Sequence, residues 1–143
     1  MASNFIQGTK TAATITGFST LAAGAFVVGS AIDLTAVVPY EVLFEVTAGV
    51  ASAPANTSLG VNFYLQYSLD GTNWSSFAPA TAVGAIDMEY IGFCPVQASG
   101  TPTTKMFTSA GHPTCRWIRP VMENGTGVTL NAGSLNYAVI TGS

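Results

Sequence analysis

An all-β fold, an antiparallel sandwich of jelly-roll type with eight to ten short strands, is what this chain predicts on three grounds. Apolar and polar residues alternate with period two along most of its 143 residues, the spacing of a strand with one buried face. Turn-forming residues interrupt those runs at spacings of about a dozen residues, as in sandwiches and jelly rolls. No stretch carries a sustained apolar stripe at helical spacing.

Taken in chain order, residues 1–10 read as an N-terminal arm and 11–143 as a single sandwich domain. The arm is apolar near its start, with Phe5 and Ile6, and is expected to clip onto a neighbouring subunit. Thr11 to Thr16, Ala25 to Val28 and Ala31 to Thr35 are weak strands, kept short by Gly17, Gly24 and Gly29. Tyr40 to Thr47 is strong: Tyr40, Val42, Phe44 and Val46 point one way, Glu41, Leu43, Glu45 and Thr47 the other. Val61 to Leu69 is the clearest, with Val61, Phe63, Leu65, Tyr67 and Leu69 on one face and Asn62, Tyr64, Gln66 and Ser68 opposite. Ala85 to Phe93 groups Ile86, Met88 and Tyr90 against Asp87, Glu89 and Ile91. Lys105 to Thr108 and Gly127 to Asn131 are weaker, whereas Cys115 to Met122 and Ser134 to Ile140 are strong, the last with Leu135, Tyr137 and Val139 together. Asp70-Gly71 and Asn124-Gly125 end strands with hairpin chemistry. Residues 51–58, 78–84 and 98–104 are rich in Pro, Ala, Ser, Thr and Gly and read as surface loops.

Charge is scarce. Four Lys and Arg, seven Asp and Glu and one His make 8% charged residues and a net charge of −3, against about 25% in an ordinary domain. A surface so short of ions suits faces that neighbours cover. No basic patch offers itself to nucleic acid, and no run of about 18 apolar residues spans a membrane. Leu21 to Ile32 is apolar, but no compact basic region precedes it, so synthesis in the cytoplasm without a leader is expected. Cys94 and Cys115 are then expected as two buried free thiols, and the sequons at Asn56, Asn73 and Asn124 as unused.

Groups able to do chemistry are few. His112, the only histidine, lies between Gly111 and Pro113 with no Gly-x-Ser-x-Gly elbow in the chain. With Cys94 and Cys115 it lacks the spacing of a metal site. Asp87 and Glu89 share a strand face, as do Glu41 and Glu45; neighbours on one face are about 6.5–7 Å apart, a separation glycosidases use. Charges this sparse are expected instead to keep a sheet face wet or to pair with Lys105, Arg116 and Arg119. Neither catalytic residue nor cofactor is expected.

Beside the N-terminal arm with Phe5 and Ile6, two features look like contacts. Ser68-Leu69-Asp70-Gly71-Thr72-Asn73-Trp74 resembles the Asp-box hairpin of sialidases with one residue missing between Asp70 and Gly71. In it Asp70 accepts backbone N–H bonds, Gly71 takes positive φ and Trp74 folds back over the turn. Trp117, between Arg116 and Arg119, is either an interface anchor or a core tryptophan. Candidate contact residues are therefore Phe5, Ile6, Asp70, Trp74, Arg116, Trp117 and Arg119.

Across most of its length the order of motifs resembles small β-sandwich virion proteins of tailed bacteriophages. The motifs are Ser19 to Gly24, Ser30 to Asp33, Pro39 to Val42, Val61 to Leu65 with its Ser68 to Gly71 turn, Arg116 to Val121 and Glu123 to Gly127. The resemblance implies a decoration (cement) protein made in the host cytoplasm and carried on the virion. It would form homo-oligomers, trimers among them, and pack on the major capsid protein. A neck, tail or adaptor subunit is the nearest alternative. A carbohydrate-binding module using Trp74, Tyr64 or Tyr90 as stacking platforms is another.

Overall fold

In the computed structural model the described residues are 5–36, 39–52, 59–75, 88–97, 100–109 and 115–142. They form ten strands and one 3-10 turn, Phe18–Thr20. Sheet A contains β1 (Phe5–Gln7), β2 (Thr11–Ala13), β5 (Pro39–Val50), β8 (Thr103–Thr108) and β10 (Leu130–Gly142). Sheet B contains β3 (Phe26–Val28), β4 (Ile32–Asp33), β6 (Gly60–Ser68), β7 (Glu89–Pro95) and β9 (Trp117–Asn124). All pairings are antiparallel.

The order is β1-β10-β5-β8 in sheet A and β3-β9-β6-β7 in sheet B. β2 continues β1 along the same side of β10, and β4 continues β3 along β9. Treating each interrupted pair as one strand leaves eight, ordered 1-8-3-6 and 2-7-4-5. That is the jelly-roll arrangement. The interruptions fall where the sequence places Gly8 and Gly29, in the glycine-rich N-terminal third.

Alternation explains the core. Val42, Phe44, Val46, Ala48 and Val50 of β5 face Val61, Phe63 and Leu65 of β6, all with at most 1% exposure. Phe63 meets Phe44 edge to face at 5.0 Å and Phe107 at 5.8 Å. A Cβ on Gly92 would lie 2.4 Å from the Phe107 ring, so a side chain there would displace that ring. Lys105 closes the open side by donating from Nζ to the Phe93 carbonyl at 2.9 Å, tying β8 to β7.

Several expectations need correction. Leu69 is 79% exposed rather than on the inner face, because β6 ends at Ser68 and the chain turns out. Glu89 is not on a wetted face. It pairs with the inward-facing Leu65 and accepts a hydrogen bond from the Tyr67 hydroxyl at the sandwich rim. The register shift that leaves Ile91 unpaired lets Tyr90 sit beside Tyr64 while Gly92 still sits beside Phe63. Both cysteines are free, but only Cys94 is buried; burial pushes its thiol up to about 11. Asp87, His112 and Asn56 lie outside the described residues.

Phe63→Ala is expected to destabilise the fold by about 3–5 kcal/mol, and Leu69→Ala to change it by less than about 0.5 kcal/mol. Urea midpoints at unchanged slope measure both.

Candidate functional site

Because β6 commits Val61, Phe63 and Leu65 to the core, Asn62, Tyr64, Gln66 and Ser68 must emerge on the outer side of sheet B. Register then brings partners from three other strands beside them. Asn62 lies between Phe93 and Glu123, and Tyr64 between Tyr90 and Val121. Gln66 lies beside Arg119, and Ser68 beside Trp117. β3 adds Phe26 next to Glu123. The result is one face on which aromatic rings alternate with polar groups.

Tyr90 is the exposed platform of this face, 54% accessible. Its ring meets Tyr64 edge to face at 5.4 Å, and the Tyr64 hydroxyl donates to Glu123 Oε2 at 2.9 Å. Asn62 Nδ2 donates to the same oxygen, also at 2.9 Å. Burial, and then this bond to a carboxylate, push the Tyr64 phenol well above its ordinary value. The phenol is therefore fixed as a neutral donor and the Tyr64 ring is held in place.

The loop after β6 supplies a second ring. Ser68 Oγ accepts the backbone N–H groups of Asp70 and Gly71, and Asp70 Oδ1 accepts those of Thr72 and Asn73. Asn73 Nδ2 donates to Asp70 Oδ2 at 2.7 Å. These bonds hold the Asp70 carboxyl well below the usual carboxylate range, the two backbone donors contributing most. Gly71 has φ +75, and a Cβ there would approach the Trp117 ring to 3.0 Å. The turn thus delivers Trp74 onto Arg119, whose guanidinium lies 4.3 Å from the ring centroid. Arg119 Nε also donates to Gln66 Oε1 at 2.7 Å, and Gln66 Nε2 donates to the Ser75 carbonyl. This clamp explains why Gln66, on an outer face, is fully buried.

The sequence-predicted contact residues therefore separate. Trp74, Trp117 and Arg119 share the outer face of sheet B, and Asp70 shapes the loop at its end. Trp117 lies outside the apolar core, with Arg116 5.6 Å from its ring; Arg116 also faces Asp33 at 3.8 Å. Phe5 and Ile6 are elsewhere: their strand pairs with β10 of the same chain at the edge of sheet A, leaving both side chains more than half exposed. Glu45 is paired with Lys10 at 2.6 Å. Lys105 is held by the Phe93 carbonyl, and Arg119 by Gln66 with Trp74. Sequence reading put Asn62 and Gln66 on this face with Tyr64 and Ser68 without singling them out, and it missed Phe93 and Glu123. Their period-two positions were visible, but pairing partners distant in sequence were not.

Two sequons are explained by local bonding. Asn124 is fully buried and donates Nδ2 to the Leu21 and Val128 carbonyls, while Asn73 serves the Asp70 turn. Among the described residues no three His, Cys, Asp or Glu side chains gather to hold a metal.

The class defined by this geometry is a jelly-roll β-sandwich carrying an aromatic and polar outer face. No family model and no curated protein matches the chain. Solved structures with a similar course include the CBM22-1 xylan-binding domain from Paenibacillus barcinonensis, at 10% identity, TM-score 0.42, covering 99% of this chain and 96% of that one. The C-terminal domain of a chitobiase from Bacteroides fragilis gives 16% identity and TM-score 0.33 over 99% and 98% of the two chains. A family 6 carbohydrate-binding module from Clostridium cellulolyticum, in complex with xylose, gives 16% and 0.36 over 95% and 97%. Scores this low do not place residues of one chain on residues of another.

Asp70 has a folded pKa below its unfolded value, so its stabilising effect is present above the unfolded pKa of about 3.9 and is lost as pH falls toward the folded value. Asp70→Ala is expected to lower the melting temperature near pH 7, with the gap to wild type narrowing progressively as pH falls below about 4. A gap that stays constant across that range would contradict the assignment.

Proposed function

We propose that this chain is a non-enzymatic recognition module that binds carbohydrate on the outer face of sheet B. The observation that carries this reading is Tyr90, an exposed ring held against Tyr64 beside fixed hydrogen-bonding groups. A pyranose presents an apolar C–H face to a ring and hydroxyls to its surroundings. An aromatic already locked in place costs little side-chain entropy on binding. The ionised groups of the face are engaged internally: Glu123 accepts from Asn62 and Tyr64, and Arg119 is held by Gln66 and Trp74. That favours a neutral polyhydroxylated ligand over an anion or a cation.

A second reading, a virion decoration protein of tailed phages, is favoured by a different observation. Phe5, Ile6 and Met106 are more than half exposed on the edge strands of sheet A, in a chain with only 8% charged residues. Side chains of that kind suit burial against a second copy or a capsid protein. The two readings use different surfaces and can both hold.

Tyr90→Ala is expected to weaken binding to neutral glycans about tenfold with the melting temperature little changed, by calorimetric titration of the best glycan from an array. Wild-type protein that binds no neutral glycan removes the first reading. For the second, light scattering at rising concentration is expected to reveal oligomers. A strict monomer, with phage particles equally heat-resistant without it, would remove that one.

A further inference from the structure

We infer that the outer face of sheet A carries a second binding site, one that takes a free α-amino acid with an aliphatic or thioether side chain. It stands apart from the carbohydrate reading, which uses the opposite face of the sandwich. Ala138 of β10 pairs with Leu43 of β5; one step along, Asn136 pairs with Glu45, which has Met106 of β8 on its other side. Ala138 carries only a methyl among these longer side chains, and it is 5% exposed in the lining of a hollow of about 130 Å3. The break between β1 and β2 supplies a further wall. There Gly8 N–H donates to the Val139 carbonyl at 2.8 Å. From that anchor Lys10, just before β2, reaches across β10 to Glu45 Oε1 at 2.6 Å.

The hollow has an apolar part and a charged end. Glu45 Oε1 accepts from both Lys10 and Asn136, whereas Glu45 Oε2 and Asn136 Oδ1 accept no bond among the described residues. No buried side-chain polar atom lacks a partner among those residues, so these two oxygens are open to solvent. Lys10 Nζ has three N–H groups and gives one of them to Glu45. Two acceptors and a spare cationic donor therefore share one end of the hollow, and the Lys10–Glu45 pair has no net charge. An α-amino acid matches that end. Its ammonium meets Glu45 Oε2 and Asn136 Oδ1, its carboxylate meets Lys10, and the four charges alternate in sign. The side chain then lies on Leu43, Ala138 and Met106. Volume sets the size of the guest: the hollow is far below the roughly 300–1,000 Å3 of sites for drug-sized ligands and near the roughly 150 Å3 that admits benzene. A residue inside a peptide lacks both charges, and glycine lacks the side chain.

The test is an amide and methyl NMR titration of the intact chain with leucine, methionine, glycine and N-acetyl-leucine amide. Leucine or methionine is expected to saturate the site with a dissociation constant of about 1 mM, with shifts gathered on Leu43, Glu45, Met106, Asn136 and Ala138. Glycine and the capped leucine are expected to bind at least about tenfold more weakly. Glu45→Gln is expected to weaken leucine by a similar factor. Ala138→Leu, which fills the hollow and leaves the charged end alone, is expected to abolish binding. Melting curves show that each variant is folded; should Glu45→Gln unfold, Ala138→Leu and the capped ligand decide. No saturable shift with leucine or methionine up to about 20 mM, capped leucine binding as tightly as leucine, or leucine binding unchanged in Ala138→Leu would each overturn the inference. None of these results touches the carbohydrate reading, which stands or falls on Tyr90.

Discussion

Phe63 of β6 stands edge-on between Phe44 of β5 and Phe107 of β8, and this contact across the two sheets sets where every other side chain of β6 points. A slip of one residue would send Phe63 to solvent and bring Tyr64 into the core. The flanking residues make the choice stringent. Val61 and Leu65 are as fully buried as Phe63, and Gly92 leaves the room that the Phe107 ring occupies. With β6 fixed in the middle of sheet B, β9 and β7 fall into register on either side. Their outward residues then have no freedom to be anywhere else.

The polar chemistry of the outer face follows from that constraint. Asn62, Tyr64 and Gln66 are presented in a row, and each is engaged by a residue that the ladder places opposite or adjacent to it. The scarcity of charge gives this arrangement its character. Glu123 and Arg119 carry most of the face's ionic potential, and both are enclosed by hydrogen bonds or an aromatic ring. Burial also draws the Arg119 pKa down, as expected of a cation deprived of part of its water. What the face then presents outward is ring surface and uncharged polar edges. Sheet A differs: its outer side has the Lys10–Glu45 pair, with Asn136 also donating to Glu45, beside exposed Met106.

Much of the architecture was legible because a half-buried strand writes its own pattern. Val42, Phe44 and Val46, and Val61, Phe63 and Leu65, alternate without a break, and the all-β sandwich follows from such runs. Legibility failed where a non-local event decided the outcome. The unpaired Ile91 reverses faces within β7, and nothing local to Glu89-Tyr90-Ile91 announces it. Gln66 is a polar residue on an outer face and reads as exposed; its burial depends on Trp74 and Ser75 returning from a loop. The Asp70 turn, by contrast, was visible in seven residues because its bonds all close within the loop. For the candidate site this meant that Tyr64, Tyr90 and Trp74 could be singled out as rings, while their convergence on one face required the β6-β7 and β6-β9 ladders.

The central proposal is that the outer face of sheet B is a recognition surface. An amide and indole NMR titration with an extended neutral hexasaccharide addresses it residue by residue. The account predicts shifts confined to Asn62, Tyr64, Gln66, Tyr90, Arg119 and the Trp74 indole, with β10 and β5 silent. Shifts gathered instead on the outer side of sheet A, around Lys10, Met106 and Asn136, would contradict it.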